Sequence, residues 1–317
     1  MRQDMFIAGD WGTSNLRLFL MDGGALRDRA QGPGVSIAME SPAAVLAHAT
    51  AHWRASHGPL PVLLCGMIGS SIGWVETPYL PCPVGYAELD GLLTRFVADG
   101  QPVAIIPGLS TVNPLGAPDF MRGEETQIFG ALTNRPALQT GTHFLCLPGT
   151  HAKWVLIKDG RIETFLTALS GELYALLRRH SVIARGAEAL DPVDEEAFRA
   201  GVARSLAPAS GSFLLHQLFE ARARQLDGSY GKPQAVSFLS GLVIGHDVAG
   251  ALQIFTPLLA GQKHVTLVGA SALSQLYGAA LAQHGWQSVA LDGDAQSLAG
   301  LCAVADAVMI GETGHAA

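Results

Sequence analysis

Apolar residues separated by turn signals form a pattern that occurs twice along the chain. The first copy is FIAGDWGTSNLRLFLMDGGAL, residues 6–26, and the second is HFLCLPGTHAKWVLIKDGRI, residues 143–162. Each copy predicts a strand, a Gly-Thr turn, a second strand, an Asp-Gly turn and a third strand. Asp-Gly between apolar runs favours a hairpin because the tight hairpin turn needs positive φ angles.

The two copies align without a gap at a spacing of 137 residues. The alignment places Gly12-Thr13 on Gly149-Thr150, Asp22-Gly23 on Asp159-Gly160, and residues 18–20 on residues 155–157. Identity at both turns, with apolar residues between them, indicates an internal duplication.

Outside the two copies, the pattern predicts strands that alternate with helices. Strands are predicted at residues 61–66, 102–108, 264–270 and 286–291. Helices are predicted at residues 42–56, 88–98, 122–134, 171–180, 195–205, 212–225, 234–252, 271–285 and 294–309, and loops at 67–86 and 109–119. Such alternation predicts an α/β protein with mixed sheets covered by helices.

Composition narrows the class of protein. The 317 residues suggest roughly two domains, and 49% hydrophobic with only 15% charged residues indicates a large core rather than disorder. The net charge is −7 and no basic block is present, which argues against nucleic acid and anionic membranes as partners.

The positions of the cysteines and the hydropathy of the chain indicate the cellular compartment in which the protein is found. The four cysteines are scattered without a C-x-x-C pair, which argues against a disulfide framework or a zinc site. The N-terminal apolar run is too short for a signal peptide, and the apolar stretch 236–259 is interrupted by His246 and Asp247, which predicts a buried helix rather than a membrane span. We therefore expect a cytoplasmic protein, and the sequence leaves a homodimer open.

The two Gly-Thr turns carry the candidate chemistry. Glycine between strands lets the backbone approach a ligand closely, and exposed N–H groups in such turns form an anion-binding concavity. The hydroxyls of Thr13, Ser14 and Thr150 add donors. Two such turns that face each other would hold a polyphosphate from both sides, although each taken alone is also an ordinary hairpin.

Five motifs then resemble a known family, in the family's order along nearly the whole chain. They are DWGTSNLR (10–17), GMIGSSIGW (66–74), MRGEETQIFGAL (121–132), LPGTHAKW (147–154) and GASALSQLY (269–277). Together they resemble the actin/hexokinase/Hsp70 ATPase superfamily and, within it, the 2-dehydro-3-deoxygalactonokinase family. The resemblance implies two duplicated ribonuclease-H-like domains, at 1–134 and 135–317, with a cleft between them.

For the nucleotide, the resemblance implies a role for each matching residue. Asp10 would hold Mg²⁺ through water, which this ion gives up reluctantly. ATP would contact the first phosphate loop, the second phosphate loop and the adenosine segment, at Gly12, Thr13, Ser14, Gly149, Thr150, Gly269 and Ala270. Lys153 would neutralise phosphate or be an ordinary solvated strand residue. Taken by itself, the adenosine segment is better explained as a helix packed closely on its strand.

The catalytic base is expected at Gly123-Glu124-Glu125. Related sugar kinases have an Asp just before a helix, and this chain has Glu in its place. Adjacent helical residues do not share a face, so only one carboxylate should enter the cleft. Glu124 is favoured because it follows the glycine, and Glu125 is the alternative. Both are also explained as acidic residues at a helix N-terminus.

Substrate contacts are expected at two arginines and one loop. Arg17 and Arg122 suit a carboxylate, or are structural ion pairs. Ser70, Ser71 and Trp74 lie where relatives place sugar contacts, and Trp74 is alternatively a core anchor. The resemblance implies a kinase that phosphorylates the 6-hydroxyl of 2-dehydro-3-deoxy-D-galactonate. The alternatives are a kinase of another aldonate or sugar, or a sugar-independent ATPase or phosphatase.

Overall fold

The computed structural model describes residues 5–89, 91–184, 193–206 and 213–311. The strands are β1 Met5–Trp11, β2 Asn15–Asp22, β3 Ala25–Pro33, β4 Val62–Cys65, β5 Tyr79–Pro81, β6 Thr94–Ala98, β7 Gln101–Ile105, β8 Gly108–Val112, β9 Pro118–Met121, β10 Thr142–Leu147, β11 Ala152–Lys158, β12 Arg161–Ala168, β13 His264–Gly269 and β14 Gln287–Asp292. The helices are α1 Pro42–Ala49, α2 Ala51–His57, α3 Glu124–Asn134, α4 Ser170–His180, α5 Glu195–Ser205, α6 Leu214–Leu218, α7 Glu220–Leu226, α8 Lys232–Phe255, α9 Ser271–Gln283 and α10 Gly293–Gly311.

Two large sheets repeat one topology. The first has the strand order β3-β2-β1-β4-β7-β6 and the second has β12-β11-β10-β13-β14. Each begins with an antiparallel three-strand meander and continues with a strand parallel to its first member, β4 beside β1 and β13 beside β10. This duplicated ribonuclease-H-like arrangement confirms the predicted fold class.

A shared apolar layer lies between the two sheets. Phe19 of β2 and Val155 of β11 are buried in one cluster with side chains from α3 and α10. The opposite face of each sheet has its own cluster, which contains Leu18 in the first sheet and Trp154 in the second. Both faces of the inner strands are therefore covered.

The register of the two meanders corrects the ungapped alignment by one residue. Asp10 pairs with Arg17 across β1 and β2, while Leu147 pairs with Lys153 across β10 and β11. The first strands thus match at a spacing of 137 residues, but the second strands match at 136. The turn between the second and third strands is Gly23-Gly24 in the first meander and Asp159-Gly160 in the second, so the matched Asp-Gly pairs are not structurally equivalent.

The physical reason for this error is double-sided burial. Strands covered on both faces are apolar at every position, so no alternation marks which face a residue occupies. A slip of one residue exchanges the two faces. With the register known, Arg17 and Lys153 occupy equivalent positions in the two copies, and both face the layer between the sheets.

Glycines bring α3 and α10 into backbone contact in that layer. A Cβ atom on Gly130 would lie 1.9 Å from the carbonyl oxygen of Gln296, and one on Gly300 would lie 1.9 Å from that of Thr126. Only glycine permits this approach. Helix α10 lies in the C-terminal half of the chain but contacts strands of both sheets. Because this helix belongs to neither sheet alone, the predicted domain boundary between residues 134 and 135 stays a prediction.

Two predicted segments are wrong. The helix predicted at 88–98, of which residue 90 lies outside the described residues, is instead a short 3₁₀ helix followed by β6. Asp99-Gly100, both with positive φ, forms the turn that pairs β6 with β7. The loop predicted at 109–119 contains most of the β8–β9 hairpin, which pairs with β5 in a small three-stranded sheet.

Two other predicted helices are divided. Residues 42–56 form α1 and α2, separated at Thr50, and residues 212–225, of which 212 lies outside the described residues, form α6 and α7. The remaining predicted strands and helices are present with ends that differ by a few residues.

Helix α8 is the core helix expected from the long apolar stretch. The segment Lys232–Leu258 is long and apolar enough to cross a membrane by length and composition, yet 72% of its most apolar window is buried inside the protein. Its apolar residues pack against α5, α7 and the second sheet, which explains its hydropathy.

Candidate active site

The first Gly-Thr turn presents its amides outward. Its carbonyl oxygens, on residues 12–14, accept hydrogen bonds of 3.0–3.2 Å from the backbone N–H groups of residues 34–36. A Cβ on Gly34 would lie 2.4 Å from the Thr13 oxygen, so glycine is required for this contact. The N–H groups of Thr13 and Ser14 have no acceptor among the described residues. Free amides with occupied carbonyls favour an anion.

The second Gly-Thr turn is supported in the same way by the start of α4. The Thr150 oxygen accepts a 2.9 Å hydrogen bond from the Glu172 N–H, and a Cβ on Gly171 would lie 2.3 Å from the Gly149 oxygen. His151, exposed beside the turn, lies 2.5 Å from the Glu172 carboxylate. The space around the Gly149 Cα is open. The N–H groups of Gly149 and Thr150 have no acceptor among the described residues, so this turn also has free amides.

The predicted adenosine segment joins the second turn. A Cβ on Gly269 would lie 3.4 Å from the oxygen of Pro148, the residue before Gly149. Gly293, at the start of α10, packs on Gly269 with a Cβ position 3.0 Å from its Cα, and Ala270 is the N-cap residue of α9. The carboxyl ends of β10, β13 and β14 thus meet at one edge, where ligands of open α/β sheets bind.

One orphaned hydroxyl lies at this edge. Ser274, in the first turn of α9, is buried, and its hydroxyl has no hydrogen-bond partner among the described residues. A buried polar atom without a partner is costly. A nucleotide held along Gly269 would offer Ser274 a partner.

Asp10 is held by two neighbours through a single oxygen. Its Oδ2 lies 2.6 Å from the Arg17 guanidinium and accepts a 3.1 Å hydrogen bond from the Ser297 hydroxyl of α10. No described residue donates to Oδ1, which lies on the side of Gly66. The carboxylate is only 14% exposed.

Glu124 and Glu125 begin α3, and their environments differ. Gly123, with a φ of 107°, directs the chain from β9 into the helix. Glu124 Oε2 accepts a 3.1 Å hydrogen bond from the Arg122 N–H, while Oε1 lies 3.8 Å from Lys153 Nζ. Glu125 is fully buried, and its two oxygens accept from the Gly123 N–H at 2.6 Å and the Thr126 hydroxyl at 3.1 Å. Of the two, only Glu124 therefore has an oxygen that accepts no hydrogen bond from a described residue.

The pKa values of Glu124 and Glu125 are also affected differently by their surroundings. Burial, followed by the adjacent Glu124 charge, raises the pKa of Glu125 to about 8. Burial also raises the pKa of Glu124, but the Lys153 ammonium opposes that rise. Two neighbouring carboxyls with different environments divide the roles between them. At neutral pH Glu125 is mainly a protonated structural group, and Glu124 is the one with a cation beside it.

Lys153 is buried and bridges the two halves of the chain. It is 5% exposed, which contradicts the alternative of an ordinary solvated strand residue. Besides Glu124, its ammonium contacts the Thr167 hydroxyl at 3.1 Å. Its predicted contact with phosphate stays a prediction.

The two candidate arginines have different partners. Arg17 forms ion pairs with Asp10 and Asp294, and its predicted contact with the substrate carboxylate stays a prediction. Arg122 has no carboxylate partner among the described residues. Its guanidinium lies 4.2 Å from the centre of the Tyr79 ring and donates to the hydroxyl and the carbonyl oxygen of Thr77.

The predicted sugar loop separates into structural and exposed residues. The Ser70 hydroxyl donates to the Met67 carbonyl at 2.7 Å, and Ser71 is exposed. The Trp74 ring packs edge-on against Trp11 at 6.5 Å and Phe96 at 4.9 Å, which is the core-anchor role. Sugar contacts by these three residues stay predictions.

Several site residues were not found from the sequence. They are Asp119, Thr167, Gly171, Ser274, Asp294 and Ser297. Ser274 lies within the motif GASALSQLY, 269–277, where no role was predicted for it. No motif marks the other five, because each acts through a residue distant in the chain. Among the described residues, no group of three or more His, Cys, Asp or Glu side chains forms a ready metal cage.

Comparison with known proteins gives one family. A model of the 2-keto-3-deoxy-galactonokinase family matches residues 10–304. The chain is 39% identical to the 2-dehydro-3-deoxygalactonokinase of Escherichia coli (strain K12), over 96% of this chain and 98% of the relative. It also superposes, with a TM-score of 0.85 and 34% identity, on the crystal structure of a Sinorhizobium meliloti protein provisionally assigned as a 2-dehydro-3-deoxygalactonokinase, covering 95% of this chain and 98% of that one.

Proposed function

Because this chain belongs to the 2-keto-3-deoxy-galactonokinase family, we propose that it transfers the γ-phosphoryl group of ATP to the 6-hydroxyl of 2-dehydro-3-deoxy-D-galactonate, with Glu124 as general base. The products are ADP and the 6-phosphate. The position of Glu124, with one oxygen anchored and the other facing Lys153, supports this mechanism.

Glu124 Oε1 would accept the proton of the attacking 6-hydroxyl. Its Oε2 stays fixed by the Arg122 N–H, so the carboxylate keeps one orientation. A base in this position contributes about 10²- to 10⁴-fold to the rate. Positioning and neutralisation of charge supply the remainder of phosphoryl transfer.

The two Gly-Thr turns would hold the phosphates of ATP. The carbonyl oxygens of residues 12–14 and of Thr150 already accept hydrogen bonds, whereas the N–H groups of Thr13, Ser14, Gly149 and Thr150 have no acceptor among the described residues. Gly269, Ala270 and the orphaned Ser274 hydroxyl would line the path of the nucleoside.

Asp10 fits a magnesium ion bound through water. Its Oδ1 has no donor among the described residues, whereas Oδ2 is fixed by Arg17 and Ser297. A single carboxylate with waters is the usual protein contribution to a Mg²⁺ site that also takes phosphates. The ion would neutralise charge on the β- and γ-phosphates.

Arg122 is the better of the two candidates for the carboxylate of the sugar acid. The guanidinium of Arg17 is already paired with two acidic side chains, whereas Arg122 has only neutral partners among the described residues. A guanidinium without an anionic partner retains donors that suit a carboxylate.

The cellular setting that we propose is cytoplasmic. All four cysteines are free thiols, as is usual in a reducing compartment. The proposed partners are ATP and the sugar acid, without nucleic acid or membrane, and a homodimer stays a prediction.

A coupled ATP assay over a panel of sugar acids tests the proposal. We expect ADP release with 2-dehydro-3-deoxy-D-galactonate and much less with its gluconate epimer or with simple aldonates. The matched control is the same panel without sugar acid, because a closed kinase site suppresses hydrolysis of ATP by water. ADP release that is equally fast without any sugar would contradict the proposal.

A further inference from the structure

A partly buried chain of polar groups connects the second meander, β10–β12, to the small three-stranded sheet. The Thr167 hydroxyl of β12 donates to Asp119 Oδ1 of β9 at 2.6 Å, and the Thr167 N–H donates to Asp119 Oδ2 at 2.8 Å. Lys153 Nζ donates to the Thr167 oxygen at 3.1 Å. A hydroxyl has one proton, and Asp119 accepts it, so the oxygen can only accept from the ammonium. The chain has a fixed direction from Lys153 to Asp119.

This chain determines where the Lys153 ammonium lies relative to Glu124. The two charged atoms are 3.8 Å apart, which is close enough for an ion pair and beyond the length of a hydrogen bond, about 2.7–3.2 Å. The Lys153 side chain is only 6% exposed, so water does not compete strongly for its protons.

The first meander, β1–β3, shows a different geometry in which the cation contacts the carboxylate directly. Arg17, which occupies the position equivalent to Lys153, contacts Asp10 directly at 2.6 Å. In the first meander, Arg17 pairs with Gln31 on the neighbouring strand. In the second meander, Lys153 pairs with Thr167. The hydroxyl acceptor, and with it the separation between cation and carboxylate, is therefore present in the second copy alone.

We propose that Asp119 and Thr167 are positioning residues that hold the Lys153 ammonium beside Glu124 but out of hydrogen-bond contact with it. This rests on the proposed function, in which Glu124 Oε1 takes the proton of the substrate. A nearby cation favours the ionised carboxylate, whereas a direct bond from Lys153 would occupy the oxygen that must accept the proton. The arrangement places a cation near Glu124, which favours its ionised form, and leaves Oε1 free to accept the proton.

Two substitutions should shift the titration of Glu124 in opposite directions. In Lys153→Met the cation is absent, so we expect the pKa of Glu124 and the acidic limb of the kcat/KM profile to rise by about one pH unit or more. In Thr167→Val the ammonium loses its acceptor and closes onto Glu124, so both should fall while kcat decreases roughly 10- to 100-fold. The other titratable groups near Glu124 are Glu125 and His151, which are unchanged in both variants.

Thr164→Val is the matched control. Thr164 lies on the same strand, and its hydroxyl contacts Thr111 and the Val112 carbonyl of the same small sheet, without contact to Lys153. We expect its pH profile and kcat to equal those of the wild type. Equal shifts in Thr164→Val and Thr167→Val, or an unchanged or upward shift in Thr167→Val, would overturn the proposal.

A titration without substrate separates this proposal from the proposed function. The ¹³C signal of the Glu124 carboxyl, assigned by its loss in Glu124→Gln, reports the pKa directly. If the wild type phosphorylates no sugar acid, the proposed function fails, but the opposite shifts of this signal in Lys153→Met and Thr167→Val still test the positioning role.

Discussion

At the scale of single residues, the site is determined by which oxygen atoms are already occupied. Glu124 and Glu125 are adjacent in sequence and chemically identical, yet only Glu124 keeps an oxygen without a donor. Asp10 likewise has one occupied and one free oxygen. In both cases the occupied oxygen fixes the orientation of the group, and the free one is left for a ligand.

The first prediction concerns the base. Glu124→Gln should lower kcat by about 10²- to 10⁴-fold, because an amide cannot accept the proton of the hydroxyl. Binding of ATP, measured by calorimetry, should persist because the phosphate loops are unchanged. Glu125→Gln is the control and should retain most activity, since Glu125 is mainly protonated near neutral pH. The reverse pattern would assign the base to Glu125.

The second prediction concerns stability against pH. The pKa of Glu125 is raised by burial from 4.5 to about 8, so the folded protein keeps this proton while the unfolded chain releases it. Between these values the free energy of unfolding should decrease as pH rises, by up to about 1.4 kcal/mol per pH unit from this group. Glu125→Gln removes this contribution.

Urea denaturation of the wild type and Glu125→Gln at pH 5 and pH 8 provides the measurement. The variant should gain stability relative to the wild type on going from pH 5 to pH 8. A difference between the two proteins that does not change with pH would show that Glu125 titrates normally.

At the scale of elements, the contact between α3 and α10 leaves no room for a side chain at Gly130 or Gly300. The helix that begins with Glu124 packs on the helix that carries Ser297, the partner of Asp10, and Gly130 and Gly300 allow their backbones to touch. The candidate base and the candidate magnesium ligand are therefore positioned by one helix pair. A change in the spacing of this pair should affect both groups.

The third prediction tests that spacing. Gly300→Ala places a Cβ 1.9 Å from a backbone oxygen, so the helices must move apart, and we expect a loss of about 1–3 kcal/mol in the free energy of unfolding. Gly250→Ala in α8 is the control, because no atom lies within 4 Å of its Cβ position. Alanine favours a helix over glycine by about 1 kcal/mol, so this variant should be slightly stabilised. Equal effects in urea denaturation would contradict the close contact.

At the scale of the whole molecule, groups from both halves of the chain form the site. Glu124 lies before the second meander in the chain and is paired with Lys153, which belongs to that meander. Asp10, near the start of the chain, accepts a hydrogen bond from Ser297, near its end. A ligand that contacts both halves therefore stabilises their mutual arrangement. When two ligands both do so, binding of the first increases the affinity for the second, because the protein has already lost part of its conformational entropy.

The fourth prediction is cooperative binding. The rise in melting temperature with a non-hydrolysable ATP analogue, Mg²⁺ and the sugar acid together should exceed the sum of the rises with nucleotide and sugar acid separately. The control replaces the sugar acid by its gluconate epimer at the same concentration. Additive shifts would show that the two ligands bind independently.

The sequence alone was sufficient for the local features. Paired turns and apolar runs predicted the duplicated meanders, and each Gly-Thr turn joins the first two antiparallel strands of its meander, because turn chemistry is encoded in the residues of the turn itself. The Asp-Gly rule would also have found the β6–β7 turn at Asp99-Gly100, which directly follows the segment that was predicted as a helix.

Only the tertiary structure decided the register and the partners. Strands buried on both faces have no alternation, so the one-residue difference that makes Arg17 equivalent to Lys153 could not be seen in the sequence. The same limit applies to Glu124 and Glu125. Which of them is free depends on Lys153, Thr167 and the backbone around Gly123, groups that come together only when the chain folds.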